Sequence, residues 1–226
     1  MFTSPPLILL SGMGADARVF AAQQQALPNL LVPPWIAPAA GESLARYAAR
    51  LAAGLHPGGP CFIGGASFGG FVALEMIRHL EVLGCFLIGS VRSPAEFPPA
   101  FQALRKVARA TAVIPFELAS LLSQAALCSG GKFTGTTAAA LLDQLAASDA
   151  DFLRWACRAV LEWQPPALDP RVPIFQIHGA RDRVLPATHT TPDVIVPGAG
   201  HALSMTHPQA VTDFLRQKMA AGPHGE

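Results

Sequence analysis

The sequence predicts an α/β protein whose sheet is mostly or wholly parallel and is covered by helices on both faces. Three observations lead to this class. Short, continuous apolar runs alternate with longer segments of helical periodicity. The runs do not alternate apolar with polar residues, as a half-exposed strand would. Continuous apolar strands are typical of a parallel sheet that is buried on both faces. The alternation stops near residue 90 and resumes near residue 172, so a helical insert interrupts one core.

The first ninety residues supply the opening strands and helices of this core. Asp16 and Ser43 each precede a helical segment and are suitable N-caps, because their side-chain oxygens can accept from backbone amides of the first turn. Pro33 and Pro34 weaken the second strand. In chain order we predict a strand over 7–10, a helix over 16–26, a weak strand over 31–36, a helix over 43–55, a strand over 60–64, a helix over 68–80 and a strand over 83–88.

The remainder of the chain contains the insert and the end of the core. Residues 91–169 show no convincing strand, and proline or glycine pairs separate their helical stretches. We therefore divide the chain into a core of residues 1–90 and 170–226 and a helical lid of residues 91–169. The predicted elements are helices over 99–110, 115–127, 135–147 and 149–162, then strands over 172–177 and 193–196 and a closing helix over 208–219.

Composition excludes several classes of function. The 226 residues have a formal net charge of +1 and only 14% are charged, without a basic face that would bind nucleic acid. No run approaches the 18 or so apolar residues of a membrane-spanning helix, so we expect no membrane insertion. The start of the chain lacks the charged segment of a signal peptide. Four cysteines without metal-ligand spacing are expected to be reduced, which favours the cytoplasm.

The most informative motif is Gly65-Ala66-Ser67-Phe68-Gly69, which joins a predicted strand directly to a predicted helix. A serine can project beyond the end of a strand only if the chain turns sharply into the helix. The residues two before and two after it must then be almost free of side chain. The amides at the start of the following helix would face negative charge formed beside Ser67. A glycine-rich turn without catalytic function is the alternative.

Two later loops offer a carboxylate and a base for such a serine. Nucleophilic catalysis by serine needs a histidine to take its proton and an acid to orient the histidine. Asp182 follows the predicted strand 172–177, and His201 follows the strand 193–196. The carboxyl ends of parallel strands meet at one edge of a sheet, so these loops should converge on Ser67. Alternatives remain at each position: Asp169 or Asp193 for the acid, and His189 or His207 for the base.

These motifs, in this order, resemble the α/β-hydrolase superfamily, and in particular acyl-carrier methyl esterases and related small carboxylesterases. The likeness covers residues 7–90 and 171–219. It implies Ser67 as nucleophile, Asp182 as orienting acid and His201 as general base. The first loop, Gly12-Met13-Gly14 with Arg18-Val19-Phe20, resembles the family's oxyanion loop. That resemblance implies that the amides of Met13 and Phe68 form the oxyanion hole, with Gly12 beside the substrate.

The chain also departs from the family's pattern. Ser11 stands where the family usually has a histidine, and the chain begins at what would be the family's third strand. The segment between Asp182 and Asp193 is too short for the usual intervening helix. We therefore expect a trimmed α/β-hydrolase fold with about six strands.

The resemblance implies a serine hydrolase that cleaves small-molecule carboxylic esters and needs neither a metal nor an organic cofactor. A thioesterase is the alternative enzyme, because residues 88–94 faintly resemble editing thioesterases, with Arg92 a substrate contact. A non-catalytic ligand-binding protein is a further alternative. Arg105, Lys106 and Arg109 could steer a phosphate-bearing acyl carrier or form a solvated helix face. The apolar stripes of the insert predict a lid over an apolar pocket or, alternatively, helices that only stabilise the domain.

Overall fold

Six parallel strands form one sheet in the computed structural model of the protein, which describes residues 4–111 and 135–221. The strand order is β2-β1-β3-β4-β5-β6 and every neighbouring pair is parallel. The prediction of a mostly or wholly parallel sheet of about six strands is confirmed. The strands are β1 (Leu7–Leu10), β2 (Leu30–Leu31), β3 (Cys61–Ala66), β4 (Val82–Ile88), β5 (Ile174–Gly179) and β6 (Val194–Val196).

Eight described α-helices accompany the sheet. Ser43 caps α2 as predicted, because its Oγ accepts a hydrogen bond from the amide of Arg46. The helix predicted over 115–127 lies outside the described residues. The helices are α1 (Ala21–Ala26), α2 (Leu44–Ala53), α3 (Phe68–Met76), α4 (Pro99–Thr111), α5 (Gly135–Ala146), α6 (Ala150–Glu162), α7 (Leu203–Thr206) and α8 (Pro208–Ala221).

Several boundaries differ from those predicted. The helix predicted over 16–26 is a 3-10 helix, Ala17–Phe20, followed by α1. The weak strand predicted over 31–36 is reduced to Leu30–Leu31, since the prolines that follow have no N–H for a strand ladder. Trp35 instead lies in a loop and donates from Nε1 to the carbonyl of Gly12. Between Asp182 and β6 the chain forms only the short 3-10 helix Ala187–His189.

The strands are buried on both faces, and successive side chains point to opposite faces of the sheet. On one face Ile8 and Leu10 pack with α2, α3 and α6. On the other face Leu7 and Leu9 pack with α1 and α8. This two-sided burial explains why the strands are continuously apolar in the sequence.

The strand order reverses beside β1, because β1 lies between β2 and β3. The loops that leave the carboxyl ends of β1 and β3 therefore run to opposite faces and leave a crevice at this edge of the sheet. The pairing Leu10↔Gly65 sets the ends of β1 and β3 side by side, and Ala66↔Ile88 does the same for β3 and β4. Functional side chains are expected at this edge.

Helix α6 packs against the first face of the sheet. Trp155 of α6 donates from Nε1 to the carbonyl of Glu42, which precedes α2, at 2.7 Å. Trp163, which ends α6, donates from Nε1 to the Glu75 carboxylate of α3 at 2.9 Å. Within residues 4–111 and 135–221, no helix has the length and apolar character needed to cross a bilayer.

Candidate active site

Ser67 occupies a strained turn between β3 and α3. Its φ is 49° and its ψ is −116°, and it is the one non-glycine residue with positive φ among those described. A β-carbon on Gly65 would lie 2.3 Å from the carbonyl carbon of Gly69. Backbone cannot move aside as a flexible side chain can, so the turn itself requires glycine at Gly65. The predicted strand–serine–helix geometry is present.

Gly69 also brings the start of α3 against the end of β1. A β-carbon at this position would lie 2.2 Å from the carbonyl oxygen of Leu10 and 2.5 Å from that of Ser11. This close approach places the loop after β1 beside the serine. A β-carbon built on Gly12 would be 3.8 Å from the β-carbon of Ser67.

The loop of residues 11–15, which follows β1, is fixed by hydrogen bonds. The buried Ser11 hydroxyl donates to the carbonyl of Ala15 at 2.8 Å. The Gly12 carbonyl accepts from the amide of Ala15 at 3.2 Å and from Trp35 Nε1 at 3.4 Å. Ser11 thus supplies side-chain support at the position where the family usually has a histidine.

Two amides near Ser67 are free to bind a ligand oxygen. In a trans peptide the C=O and N–H point in opposite directions, so the Met13 N–H points away from the partners of the Gly12 carbonyl. It donates to no other group in the described part of the chain. The Phe68 N–H is the first of α3 and has no acceptor within the helix.

The buried Asp182 and the partly buried His201 form a hydrogen-bonded pair. Asp182 Oδ2 lies 2.8 Å from His201 Nδ1, and Oδ1 accepts from the amides of Val184 at 2.9 Å and Leu185 at 3.0 Å. Burial alone would raise the pKa of the Asp182 carboxyl, but the His201 imidazole and these backbone donors together lower it. An ionised carboxylate only accepts, so Nδ1 carries the imidazole proton and Nε2 is left to accept one.

The alternative acids have other partners. Asp193 accepts from Lys218 Nζ at 2.7 Å and from the amide of Gln176 at 2.8 Å. Asp169 is paired with Arg171 at the surface. Of these three carboxylates, Asp182 is the one that contacts a histidine.

A buried polar network beneath Ser67 was not predicted from the sequence. Ser90 donates from Oγ to the carbonyl of Ser67 at 2.8 Å. The Ser90 carbonyl accepts from Gln176 Nε2 and His178 Nε2, each at 2.8 Å. Burial lowers the pKa of His178, which keeps its imidazole neutral. The only signal in the sequence is polar residues at the end of, or just after, strands that are otherwise apolar.

Arg92 is not brought to Ser67. Its guanidinium donates to Gln176 Oε1 at 2.7 Å and to the carbonyls of Thr191 and Ile174. It lies 3.7 Å from Asp193. These contacts connect β4, β5 and the segment before β6, so its observed role is to join these elements.

Arg105 has neither of the surroundings predicted for it. It is buried, and it donates to the carbonyl of Val160 at 2.6 Å and to that of Trp163 at 2.5 Å. These carbonyls lie at the C-terminal end of α6, where a positive charge is favourable. Lys106 is exposed. The side chain of Arg109 lies outside the described part of the chain.

Ser67 and His201 line one cavity of about 170 Å³, here called the Ser67 cavity. Gly12, Met13 and Phe68 also line it, and Arg92 does not. Side chains from 91–169 form part of the wall. They include Phe97, Phe101, Leu145, Cys157 and Val160.

The Ser67 cavity is almost entirely apolar. Within residues 4–111 and 135–221, the polar side chains on its wall are those of Ser67, His201 and Ser204, and none belongs to Asp, Glu, Lys or Arg. Its volume is comparable to that of an apolar cavity of about 150 Å³ that binds benzene. No group of His, Cys, Asp and Glu side chains within the described ranges is arranged to bind a metal ion.

Comparison with known proteins identifies the family and the fold. The model of the alpha/beta hydrolase family matches residues 7–214. No curated protein sequence matches. Three solved structures are similar: a thermophilic esterase from Thermogutta terrifontis (TM-score 0.73, 21% identity, covering 96% of this chain and 90% of that one), an esterase from Exiguobacterium antarcticum (0.70, 16%, 97% and 93%) and a carboxylesterase from Nitrososphaera gargenis (0.65, 18%, 96% and 90%). At these identities the likeness shows a shared fold.

Proposed function

The chain belongs to the alpha/beta hydrolase family, and from that premise we propose that it is a serine hydrolase that cleaves carboxylic esters. One observation carries the proposal: the Asp182–His201 pair, bonded at 2.8 Å, and the strained Ser67 meet at the same apolar cavity. Nucleophile, base and orienting acid are the set that acyl transfer requires.

In the acylation step His201 Nε2 accepts the hydroxyl proton of Ser67 while Oγ attacks the ester carbonyl carbon. The carbonyl oxygen becomes an oxyanion, and the N–H groups of Met13 and Phe68 donate to it. The tetrahedral intermediate then breaks its bond to the alkoxy oxygen, which takes the proton from His201 and leaves as the alcohol. The acyl group remains on Ser67 as an ester.

Deacylation repeats these steps with water. His201 Nε2 takes a proton from water, the hydroxide adds to the acyl carbon, and the bond to Ser67 Oγ breaks as Oγ regains a proton. Asp182 does not itself gain a proton; it keeps Nε2 as the accepting nitrogen and stabilises the imidazolium that forms in each half-reaction. Its lowered pKa keeps it ionised throughout this cycle.

The proposed substrate is a small, uncharged and largely apolar ester. The cavity wall offers no positive side chain to a carboxylate or phosphate and no negative one to an ammonium group. Three structural neighbours are described as esterases or carboxylesterases. A thioester would fit the same chemistry, but Arg92, on which the likeness to thioesterases depended, lies away from the cavity.

A fluorophosphonate probe tests the proposal, because it phosphonylates a serine only where a base activates the hydroxyl. We expect one adduct, located on Ser67 by mass spectrometry. Ser67→Ala should remain folded, lose the adduct and lose ester turnover by several orders of magnitude. Ser43→Ala is the control, since that serine caps α2 far from the cavity wall. An adduct on Ser11 or Ser204, or turnover by Ser67→Ala, would contradict the proposal.

A further inference from the structure

Ser204 is a buried serine on the wall of the Ser67 cavity. It lies in the short helix α7, which follows the His201 loop, and is 4% exposed. Its position is fixed, because its carbonyl accepts from the buried side-chain amide of Gln23 at 3.3 Å. The residue is therefore presented to the cavity by anchored backbone.

Its hydroxyl differs from those of the other buried serine, threonine and tyrosine residues. Ser11 donates to the carbonyl of Ala15, Ser90 to that of Ser67, Tyr47 to that of Ile36 and Thr212 to that of Pro208. Ser204 Oγ has no hydrogen-bond partner within residues 4–111 and 135–221, although nearby Thr206 bonds the carbonyl four residues before it. Although the residue as a whole is buried, this oxygen is not enclosed by protein; it is accessible from the cavity, where it can donate to a bound group.

A ligand in the cavity can supply the missing partner. Apart from Ser67 and His201, which the proposed chemistry uses, Ser204 offers the one polar side chain on the described wall. A plain alkyl group bound here would leave its hydroxyl unpaired. An ether, keto or hydroxyl oxygen at the right position would accept its proton.

We propose that Ser204 is a specificity-determining residue and that the substrate is an apolar ester with a second, uncharged oxygen function, which accepts a hydrogen bond from Ser204 Oγ. This inference rests on the proposed function and narrows its substrate class. The oxygen is neutral because no cationic side chain on the described wall accompanies Ser204.

The test compares plain alkanoate esters with matched esters in which an ether oxygen replaces one methylene at each successive position. For each pair, the ratio of kcat/KM for the ether ester to that for the plain ester is measured. In the wild type we expect this ratio to be clearly highest for one position of the ether oxygen. At that position Ser204→Ala should lower the ratio by about three- to tenfold, with little change on plain esters. Ser204→Cys, nearly isosteric with a weaker donor, should lie between the two.

Thr206→Val is the matched control. Thr206 is in the same helix, but its hydroxyl bonds the Ala202 carbonyl and it does not line the cavity, so the ratio should be that of the wild type. The inference is overturned if Ser204→Ala and the wild type give the same ratio at every position. It is equally overturned if the variant slows both esters of every pair alike.

A binding measurement separates this inference from the proposed ester hydrolysis. Amides of the same acyl groups bind without reacting, and their affinities for Ser67→Ala are measured by calorimetry. We expect the favoured ether amide to lose affinity in Ser67→Ala/Ser204→Ala while the plain amide does not. If the wild type cleaves no ester but this difference persists, the proposed function fails and the Ser204 contact stands. Equal binding of all amides to both variants overturns the contact.

Discussion

Asp182 follows β5 and Asp193 directly precedes β6, and the two carboxylates provide a matched pair for testing the acid. Asp182→Asn keeps the shape of the side chain but presents an amide to His201, which favours the wrong imidazole tautomer. We expect kcat to fall by about 10³–10⁴-fold with the fold retained. Asp193→Asn should retain near-normal turnover, since that residue bonds Lys218 and Gln176. The measurement is ester turnover, with melting curves for both variants.

The opposite pattern, a large loss in Asp193→Asn with activity kept in Asp182→Asn, would move the acid to the other loop. The fold would then have to bring Asp193 to His201, away from its contacts with Lys218 and the amide of Gln176.

At the scale of single residues, the sequence predicts side chains that act through a motif and misses those that act through contact. Asp182 and His201 follow strand-like runs in the expected order, and the structure joins them at 2.8 Å. Ser90 and Ser204 belong to no motif, and their importance comes from which carbonyl or cavity each faces. Arg92 was interpreted as a substrate contact from its place in the chain, but its guanidinium is directed at Gln176 and Thr191.

At the scale of elements, the β3–α3 turn should tolerate no side chain at Gly69. Gly69→Ala would force a β-carbon to within 2.2 Å of the Leu10 carbonyl, and backbone on both sides prevents relaxation. We expect a loss of about 3 kcal/mol or more in the free energy of unfolding, measured by urea titration. Gly54→Ala is the control: its φ is −82° and the nearest atom to a new β-carbon is 3.5 Å away, so stability should be unchanged or slightly higher. Similar losses in both variants would contradict the close approach of α3 and β1.

The neighbouring residues Arg105 and Lys106 of α4 should contribute unequally to stability. Arg105 bonds the last carbonyls of α6 from a buried position, so Arg105→Ala removes charged hydrogen bonds and should cost about 1.5–3 kcal/mol. Lys106 is exposed, and Lys106→Ala should change stability by less than about 0.5 kcal/mol. Urea unfolding of the two variants measures the difference. Equal effects would show that Arg105 does not anchor α6.

Elements that a pattern within a few consecutive residues specifies were predicted well. The strand over 7–10 and the cap of α2 at Ser43 depend on apolar runs and side-chain chemistry within a few residues. α7 has no such signal: its four residues are too few to show a period, and Ala202, which precedes them, makes no side-chain cap. The strand expected over 31–36 failed because prolines remove the donors that a ladder needs. The order of the strands is set by long-range pairing, which no local sequence pattern specifies.

At the scale of the whole molecule, core and insert together limit the size of the acyl or alcohol group. Leu145 and Val160, from residues 91–169, line the same cavity of about 170 Å³ as Ser67 and Met13. The division of the chain into core and lid remains a prediction, whereas the shared wall follows from the positions of these side chains. Specificity should therefore respond to substitutions in α5 as well as to those near Ser67.

The last prediction concerns chain length. Each methylene buried in an apolar cavity is worth about 0.8 kcal/mol, roughly a fourfold gain in kcat/KM. For p-nitrophenyl esters we expect kcat/KM to rise from acetyl to an acyl chain of about six carbons and then to fall, since the cavity is then full. Leu145→Ala shortens a side chain that lines the cavity and so enlarges it. The acyl chain with the highest kcat/KM should therefore become longer. Leu142→Ala is its control, because Leu142 lies on the same helix but is 52% exposed and not on the wall. If kcat/KM does not depend on chain length, or if Leu145→Ala and Leu142→Ala shift the optimum equally, α5 stabilises the domain without selecting the substrate.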